Sequence, residues 1–260
     1  MAVESKPGAG SIIATEYVAK SPPDGHTILL ATTVFSVNVS RVPKLPYDTF
    51  RDFSAIALGA MAPNVLVMHP SVRSATVKEL IAYAKANPGK LNYGFPGSGT
   101  APHLAGELFK LEAGIDVVAV PYKGAQPMLT AILSGEIDYM FDITNSLPHV
   151  RAGKLRALAV TSRTRIGSLP DIPTMSEAAI PGFEAITWFG FVVPSGTPPD
   201  VIELLNREIN AALKSPEVHD RITTQGMELL GSTPQEFERH IRDEAKKWAR
   251  VVRESRIPSD

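Results

Sequence analysis

Tyr93-Gly94-Phe95-Pro96-Gly97-Ser98-Gly99-Thr100-Ala101-Pro102-His103-Leu104 leads from a short strand-forming run, through a glycine-rich turn, into a segment with helical signals. Gly97 and Gly99 permit backbone conformations closed to other residues and let a ligand come close. A helix beginning near Pro102 leaves N–H groups unpaired and places partial positive charge there. Ser98 and Thr100 add hydroxyls. Together these features describe a cradle for a carboxylate or phosphate. A plain capped strand-to-helix turn has the same spacing, so both readings stand. Nucleotide loops are excluded: no Lys follows as G-x-x-x-x-G-K-[ST] requires, and Pro102 stands where G-x-G-x-x-G needs its third Gly. A nucleophile elbow around Ser98 would need Gly at position 96, which is Pro96. His103 is near Ser98 in sequence, but no third group is indicated to orient it, so no catalytic residue is assigned.

Moving outward, apolar β-rich runs alternate with helical patterns. Strands are expected at His26–Ala31, Ser54–Gly59, Asn64–His69, Leu91–Gly94, Asp116–Val120, Ile137–Phe141, Leu155–Thr161 and Ile186–Val193. Several are apolar nearly throughout, as in strands covered on both faces. Helices have readable ends. Thr76-Val77-Lys78-Glu79 is a capping box, and Gly114 and Gly135 follow the helices Pro102–Ala113 and Pro127–Ser134. Thr197-Pro198-Pro199-Asp200 and Thr233-Pro234-Gln235-Glu236 each place Thr at the cap and Pro just inside. Phe237, Ile241, Ala245, Trp248 and Val252 keep helical spacing, which predicts one buried stripe. The alternation implies an α/β architecture with largely parallel sheets. Crossovers near Gly94–Pro96 and Trp188–Gly190 would make a discontinuous first domain, 1–94 with 190–260, and an inserted second domain, 95–189.

A net charge of -1 offers no basic field for nucleic acid or an anionic membrane. The chain has no Cys, so disulfides and thiolate metal sites are excluded, and the six His show no metal-ligand spacing and read as surface or capping residues. No metal or cofactor is expected. No apolar run approaches the roughly 20 residues of a membrane span. The first residues lack the basic and apolar regions of a secretory signal.

Three further segments carry polar groups after strands. Val120-Pro121-Tyr122-Lys123-Gly124-Ala125-Gln126-Pro127 is a second strand-to-helix turn, with Gly124 giving backbone access and Lys123 read as solvated. Ligands in α/β sheets lie beyond the carboxyl ends of strands, so the two turns could face one site. Asp142 ends an apolar strand, where it could contact a ligand, cap the next helix or tie down a loop. Thr32, Thr33 and Ser36 follow the first strand and suit an opposite lip, or an N-cap at Thr32 or Thr33. Trp188 could wall a site, although core packing is its commoner use.

Several stretches resemble the Bug family, the TctC-like extracytoplasmic receptors of tripartite tricarboxylate transporters. They are Lys6–Gly10, Pro23–Thr27, G-S-G-T-x-x-H-L-A-G-E-L-F from Gly97 to Phe109, and V-P-Y-K-G from Val120 to Gly124. Met140–Asp142, Gly153–Thr161 and Trp188 with Pro194–Pro198 match too, in family order over nearly the whole chain. The resemblance implies a two-domain periplasmic binding protein, type II-like or Venus flytrap, that captures a small carboxylate and is not an enzyme. Di- and tricarboxylates, acidic amino acids and aromatic acids are the family's range. By position, the implied ligand contacts are Ser98, Gly99, Thr100, His103, Tyr122, Gly124, Ala125 and Asp142, with Thr32, Thr33 and Ser36 from the facing domain. The implied partners are membrane transporter subunits. Family members begin with a strand, a P-F-x-x-G-G loop and a long helix, whereas here the second strand's equivalent falls near Ala2–Glu4. The first domain is therefore expected to be N-terminally truncated, with a second chain as one way to complete it. The alternatives are a hydrolase-like enzyme acting on a small carboxylate or ester through Ser98 or Asp142, and a partner-dependent, non-binding remnant of the family.

Overall fold

The computed structural model describes residues 2–143, 145–224, 226–255 and 257. The chain divides into two compact units, Met1–Met61 with Trp188–Asp260, and Ala62–Thr187. It crosses between them twice, so the first unit is discontinuous. The later crossing lies beside Trp188–Gly190, but the earlier one precedes the Gly94–Pro96 position read from sequence. Backbone pairing gives the reason: the strand at Val65–Met68 is hydrogen-bonded within the second unit's sheet, and this takes 62–94 with it.

In the first unit the strands are β1 (Leu29–Thr32), most of β2 (Phe53–Pro63), β8 (Ile186–Pro194) and β9 (Glu228–Leu229), in the order β1-β8-β2-β9. The pairs β1–β8 and β2–β9 are antiparallel. Around them lie α1 (Ile12–Ala19), α2 (Thr33–Arg41), α8 (Pro199–Leu213), α9 (Pro216–Thr223) and α10 (Pro234–Ser255). The predicted stripe of α10 is buried, and Phe237 meets Trp188 edge-on with ring centres 5.6 Å apart. Trp188 is thus a core residue packed with Phe35, Val192 and Ile241. Gly190 is required for this contact, since a Cβ there would stand 2.1 Å from the Phe237 ring. Residues 2–8 form no strand, contrary to the expectation at Ala2–Glu4.

The second unit contains β3 (Val65–Met68), β4 (Asn92–Phe95), β5 (Val118–Pro121), β6 (Tyr139–Asp142) and β7 (Arg156–Val160), in the order β5-β4-β6-β3-β7. β4 is parallel to β5 and β6, whereas β3 is antiparallel to β6 and β7. This sheet is therefore mixed, and with the antiparallel pairs of the first unit it corrects the expectation of largely parallel sheets. A period-2 pattern, or an unbroken apolar run, reports which faces are covered but not strand direction.

Its helices are α3 (Val77–Ala86), α4 (Ala101–Ala113), α5 (Ala125–Ser134), α6 (Leu147–Arg151) and α7 (Met175–Ala178). Alternation along the strands feeds two layers of core. Met140, Val65 and Val67 pack with Met128, Leu129 and Ile132 of α5. Tyr139 and Phe141 instead meet Phe109 of α4, at 6.0 Å in each case. Both faces are apolar because both are covered by helices. A buried knot ties three segments of this unit. The Asn64 N–H donates to Thr161 Oγ1 at 2.8 Å, Asn64 Nδ2 donates to the Ala185 carbonyl at 2.8 Å, and Thr161 Oγ1 donates to the same carbonyl at 2.6 Å.

Helix ends follow the sequence signals with two exceptions. Thr233 and Glu236 form a reciprocal box, the Glu236 N–H donating to Thr233 Oγ1 at 3.2 Å and the Thr233 N–H to Glu236 Oε2 at 2.8 Å. At Thr76 only half the box forms, because Glu79 Oε2 accepts from Ala75 N–H. Thr197 does not cap α8. Its hydroxyl donates to the Pro194 carbonyl at 2.8 Å, and Pro198 occupies the cap position.

Candidate carboxylate site at the β4–β5–β6 edge

Register aligns the ends of three strands in the second unit. Phe95 pairs with Pro121 across β4 and β5, and Gly94 pairs with Met140 across β4 and β6. All three run the same way, so their carboxyl ends share one edge, with neighbouring strands about 4.8 Å apart. Beyond β4 and β5 begin α4, of 13 residues, and α5, of 10 residues. Two helix N-termini thus approach one sheet edge and bring partial positive charge with them.

The turn between β4 and α4 is held by its own groups. Gly97 has φ 137° and Gly99 has φ 73°, both in the left-handed region that favours glycine. Thr100 Oγ1 donates to the Gly97 carbonyl at 2.8 Å, and the Thr100 N–H makes a longer contact to it at 3.4 Å. The Gly99 N–H donates to His103 Nδ1 at 3.1 Å. Two of the cradle's amides are therefore engaged internally. The Ser98 and Ala101 amides meet no acceptor among the described residues, and Pro102 has none to offer. After β5, Gly124 caps α5 with φ 108°, and the Ala125 and Gln126 amides likewise meet no acceptor among the described residues.

The remaining predicted residues fall into two groups. Asp142 is buried at the end of β6, where Oδ2 accepts from the Ser146 N–H at 2.7 Å and Oδ1 from Asn145 Nδ2 at 3.1 Å. It ties down the turn that leads into α6, whose cap residue is Ser146 without a side-chain cap bond. The Tyr122 backbone extends the β4–β5 ladder through its N–H to the Phe95 carbonyl at 2.9 Å. Its hydroxyl donates to Glu136 Oε1 at 2.7 Å. Loss of solvent, and then this bond to a carboxylate, push the phenol up to about 12. Thr32, Thr33 and Ser36 belong to the first unit. Thr33 Oγ1 accepts from the Trp188 N–H at 3.2 Å, Ser36 Oγ donates to the Thr33 carbonyl at 2.9 Å, and Thr32 is the cap residue of α2 without a side-chain bond.

His103 is not a surface residue: it is 3% exposed, and its ring lies on Phe95 with centres 3.8 Å apart and planes 8° from parallel. Sequence reading missed Phe95 as the platform of the turn, because a strand-terminal aromatic looks like any core residue. The Ala101 and Gln126 amides were missed too, since side-chain chemistry gives no sign of them. Among the described residues no three His, Asp or Glu side chains are grouped as a metal ion would need, and no helix is long and apolar enough to cross a membrane.

The sequence profile of the tripartite tricarboxylate transporter family receptor, TctC, matches residues 1–257. Rpa4515 of R. palustris, solved with adipate, is 36% identical with a TM-score of 0.87, covering 96% of this chain and 85% of its own. The periplasmic binding protein BugD is 32% identical with a TM-score of 0.86, over 98% of this chain and 86% of its own. MatC from Rhodopseudomonas palustris, solved with bound malate, is 30% identical with a TM-score of 0.84, over 94% and 85%. A profile spanning nearly every residue and solved relatives matched along nearly all of the chain agree: this protein belongs to the tripartite tricarboxylate transporter receptor family, the Bug-type solute-binding proteins.

Proposed function

We propose that this chain is a periplasmic receptor that captures a small carboxylate at the β4–β5–β6 edge and delivers it to membrane subunits of a tripartite transporter. The observation that carries this reading is the pair of helix N-termini on adjacent strand ends, with the Ser98, Ala101, Ala125 and Gln126 amides meeting no acceptor among the described residues. No Arg or Lys lies between Phe95 and His103. Neutral donors at helix starts suffice to hold an anion. The relatives solved with adipate and malate favour a dicarboxylate. From the first unit, Thr32, Thr33 and Ser36 remain proposed contacts on the family resemblance. The internal bonds of Thr33 and Ser36 give the second-unit set the greater weight.

The enzymatic reading has less support. His103 Nδ1 is occupied by the Gly99 N–H, and both Asp142 oxygens accept from neighbouring donors. Among the described residues neither group is hydrogen-bonded to Ser98, as a general base would be. A second chain completing the first unit finds no support in the fold or the relatives. Thermal shift and titration calorimetry over mono-, di- and tricarboxylates, adipate and malate included, test the proposal. At a hundredfold excess over Kd a bound acid stabilises by about 2.7 kcal/mol, and Tm rises accordingly. No shift and no heat with any acid would refute it.

A further inference from the structure

Within the carboxylate-receptor reading, we infer that His103 is a positioning residue: it shapes the anion cradle through Gly99 and does not itself hold the ligand. His103 is the third residue of α4 and reaches back to the amide of the residue before the cap. A capping box places an acid at this helix position and returns it to the cap amide. Here an imidazole does so one residue further out, where the chain is still turning. Because Nδ1 accepts a backbone N–H, the neutral ring carries its proton on Nε2. The ring's orientation is fixed by its stack on Phe95, the last residue of β4. One side chain therefore links the strand end, the turn and the helix start.

The consequence concerns which amides face outward. Gly99 has φ 73°, and its N–H is directed to the imidazole inside the turn. That choice leaves the Ser98 and Ala101 amides as the pair without internal acceptors among the described residues. Without the Nδ1 bond, Gly99 would gain freedom, and the donors on either side of it would lose their fixed direction. Prearranged donors gain their advantage from being held before the ligand arrives.

His103→Phe keeps an aromatic ring for Phe95 but removes the acceptor. His103→Asn loses the ring but can place Oδ1 near the position of Nδ1. Calorimetry with adipate and malate should show affinity falling about two- to tenfold in His103→Phe, the range expected for one neutral hydrogen bond. His103→Asn should recover most of that loss. Amide hydrogen exchange at Gly99, measured without ligand, should be protected in wild type and His103→Asn and faster in His103→Phe. Wild-type affinity in His103→Phe, equal losses in both variants, or unchanged Gly99 exchange in His103→Phe would each overturn the inference. If wild type binds none of the mono-, di- and tricarboxylates screened while Gly99 exchange follows the expected order, the receptor reading has failed, and the ligand-related part of the inference fails with it.

Discussion

Gly106→Ala tests how closely α4 is seated on β4, the contact that brings the helix start to the strand end. A methyl group at Gly106 would lie 2.3 Å from Tyr93 Cε2, 2.8 Å from Cζ and 3.0 Å from Cδ2. Tyr93 is fully buried, and its hydroxyl donates to Glu107, a buried carboxylate that also accepts from Lys110 Nζ at 3.0 Å. The ring cannot swing aside without disturbing that bond. On an exposed helix, Ala in place of Gly would stabilise by about 1 kcal/mol. Overpacking a close-packed site costs about 1–3 kcal/mol. Losing a hydrogen bond to a charged acceptor costs about 1.5–3 kcal/mol. Either penalty, less the propensity gain, leaves a net loss of up to about 2 kcal/mol.

Urea unfolding followed by circular dichroism reads this loss as a lower midpoint at unchanged slope. In a Tyr93→Leu background the obstructing ring is gone, and Gly106→Ala should become neutral or stabilising. Carboxylate affinity should fall in the single variant, because α4 and β4 bracket Gly97–Thr100. A Gly106→Ala protein as stable as wild type, or one losing the same amount with and without the Tyr93 ring, would refute the reasoning.

Asp142→Ala strips acceptors from the Ser146 N–H and Asn145 Nδ2, and the buried amide should cost about 1–3 kcal/mol in Tm-derived stability. Asp142→Asn, which keeps a carbonyl oxygen, should lose less. Thr233→Ala removes the cap of α10 and should cost about 1 kcal/mol by urea denaturation. The Thr233 backbone N–H, then its hydroxyl, hold the Glu236 carboxyl below its ordinary range. That contribution is present above the unfolded carboxylate's pKa and is lost as pH falls through the depressed folded value, so Glu236→Gln should soften the acid limb of a stability–pH curve. Tyr122 behaves oppositely. Its folded pKa of about 12 exceeds the ordinary 10.0, so its contribution holds below pH 10 and fades as pH rises towards 12. Tyr122→Phe should abolish that decline, remove one phenol from the ultraviolet titration near 12, and leave carboxylate affinity unchanged because the hydroxyl is turned to Glu136.

The strands were legible because burial on both faces writes itself into composition: Val65–Met68 and Tyr139–Asp142 are apolar almost without interruption. The two-residue β9 left no such trace. Sheet membership was not legible. The run Val65–Met68 would look the same in either unit, and its pairing with Tyr139–Asp142 on one side and Arg156–Val160 on the other assigns it. Thr197 misled for a local reason: two consecutive prolines follow it, the first of them, Pro198, takes the cap position itself, and the Thr hydroxyl turns back to Pro194. Around the candidate site, Gly97, Gly99 and the start of α4 could be read directly. The Gly99–His103 bond could not, since it depends on a backbone angle of 73° at Gly99 that spacing does not encode.

That hidden bond bears on how the proposed site would hold an anion with backbone donors. A Lys or Arg brings charge but must give up hydration and rotamer freedom when it closes on a ligand. Backbone amides at helix starts have already lost that freedom on folding, so their directions depend on whatever holds the turn. Here the holding groups are Thr100 Oγ1 on the Gly97 carbonyl and His103 Nδ1 on the Gly99 amide. Neither needs to touch the ligand for its loss to be felt. In such a site, substitutions that release the turn weaken binding without removing a donor, and contact with the ligand is a poor guide to which side chains matter.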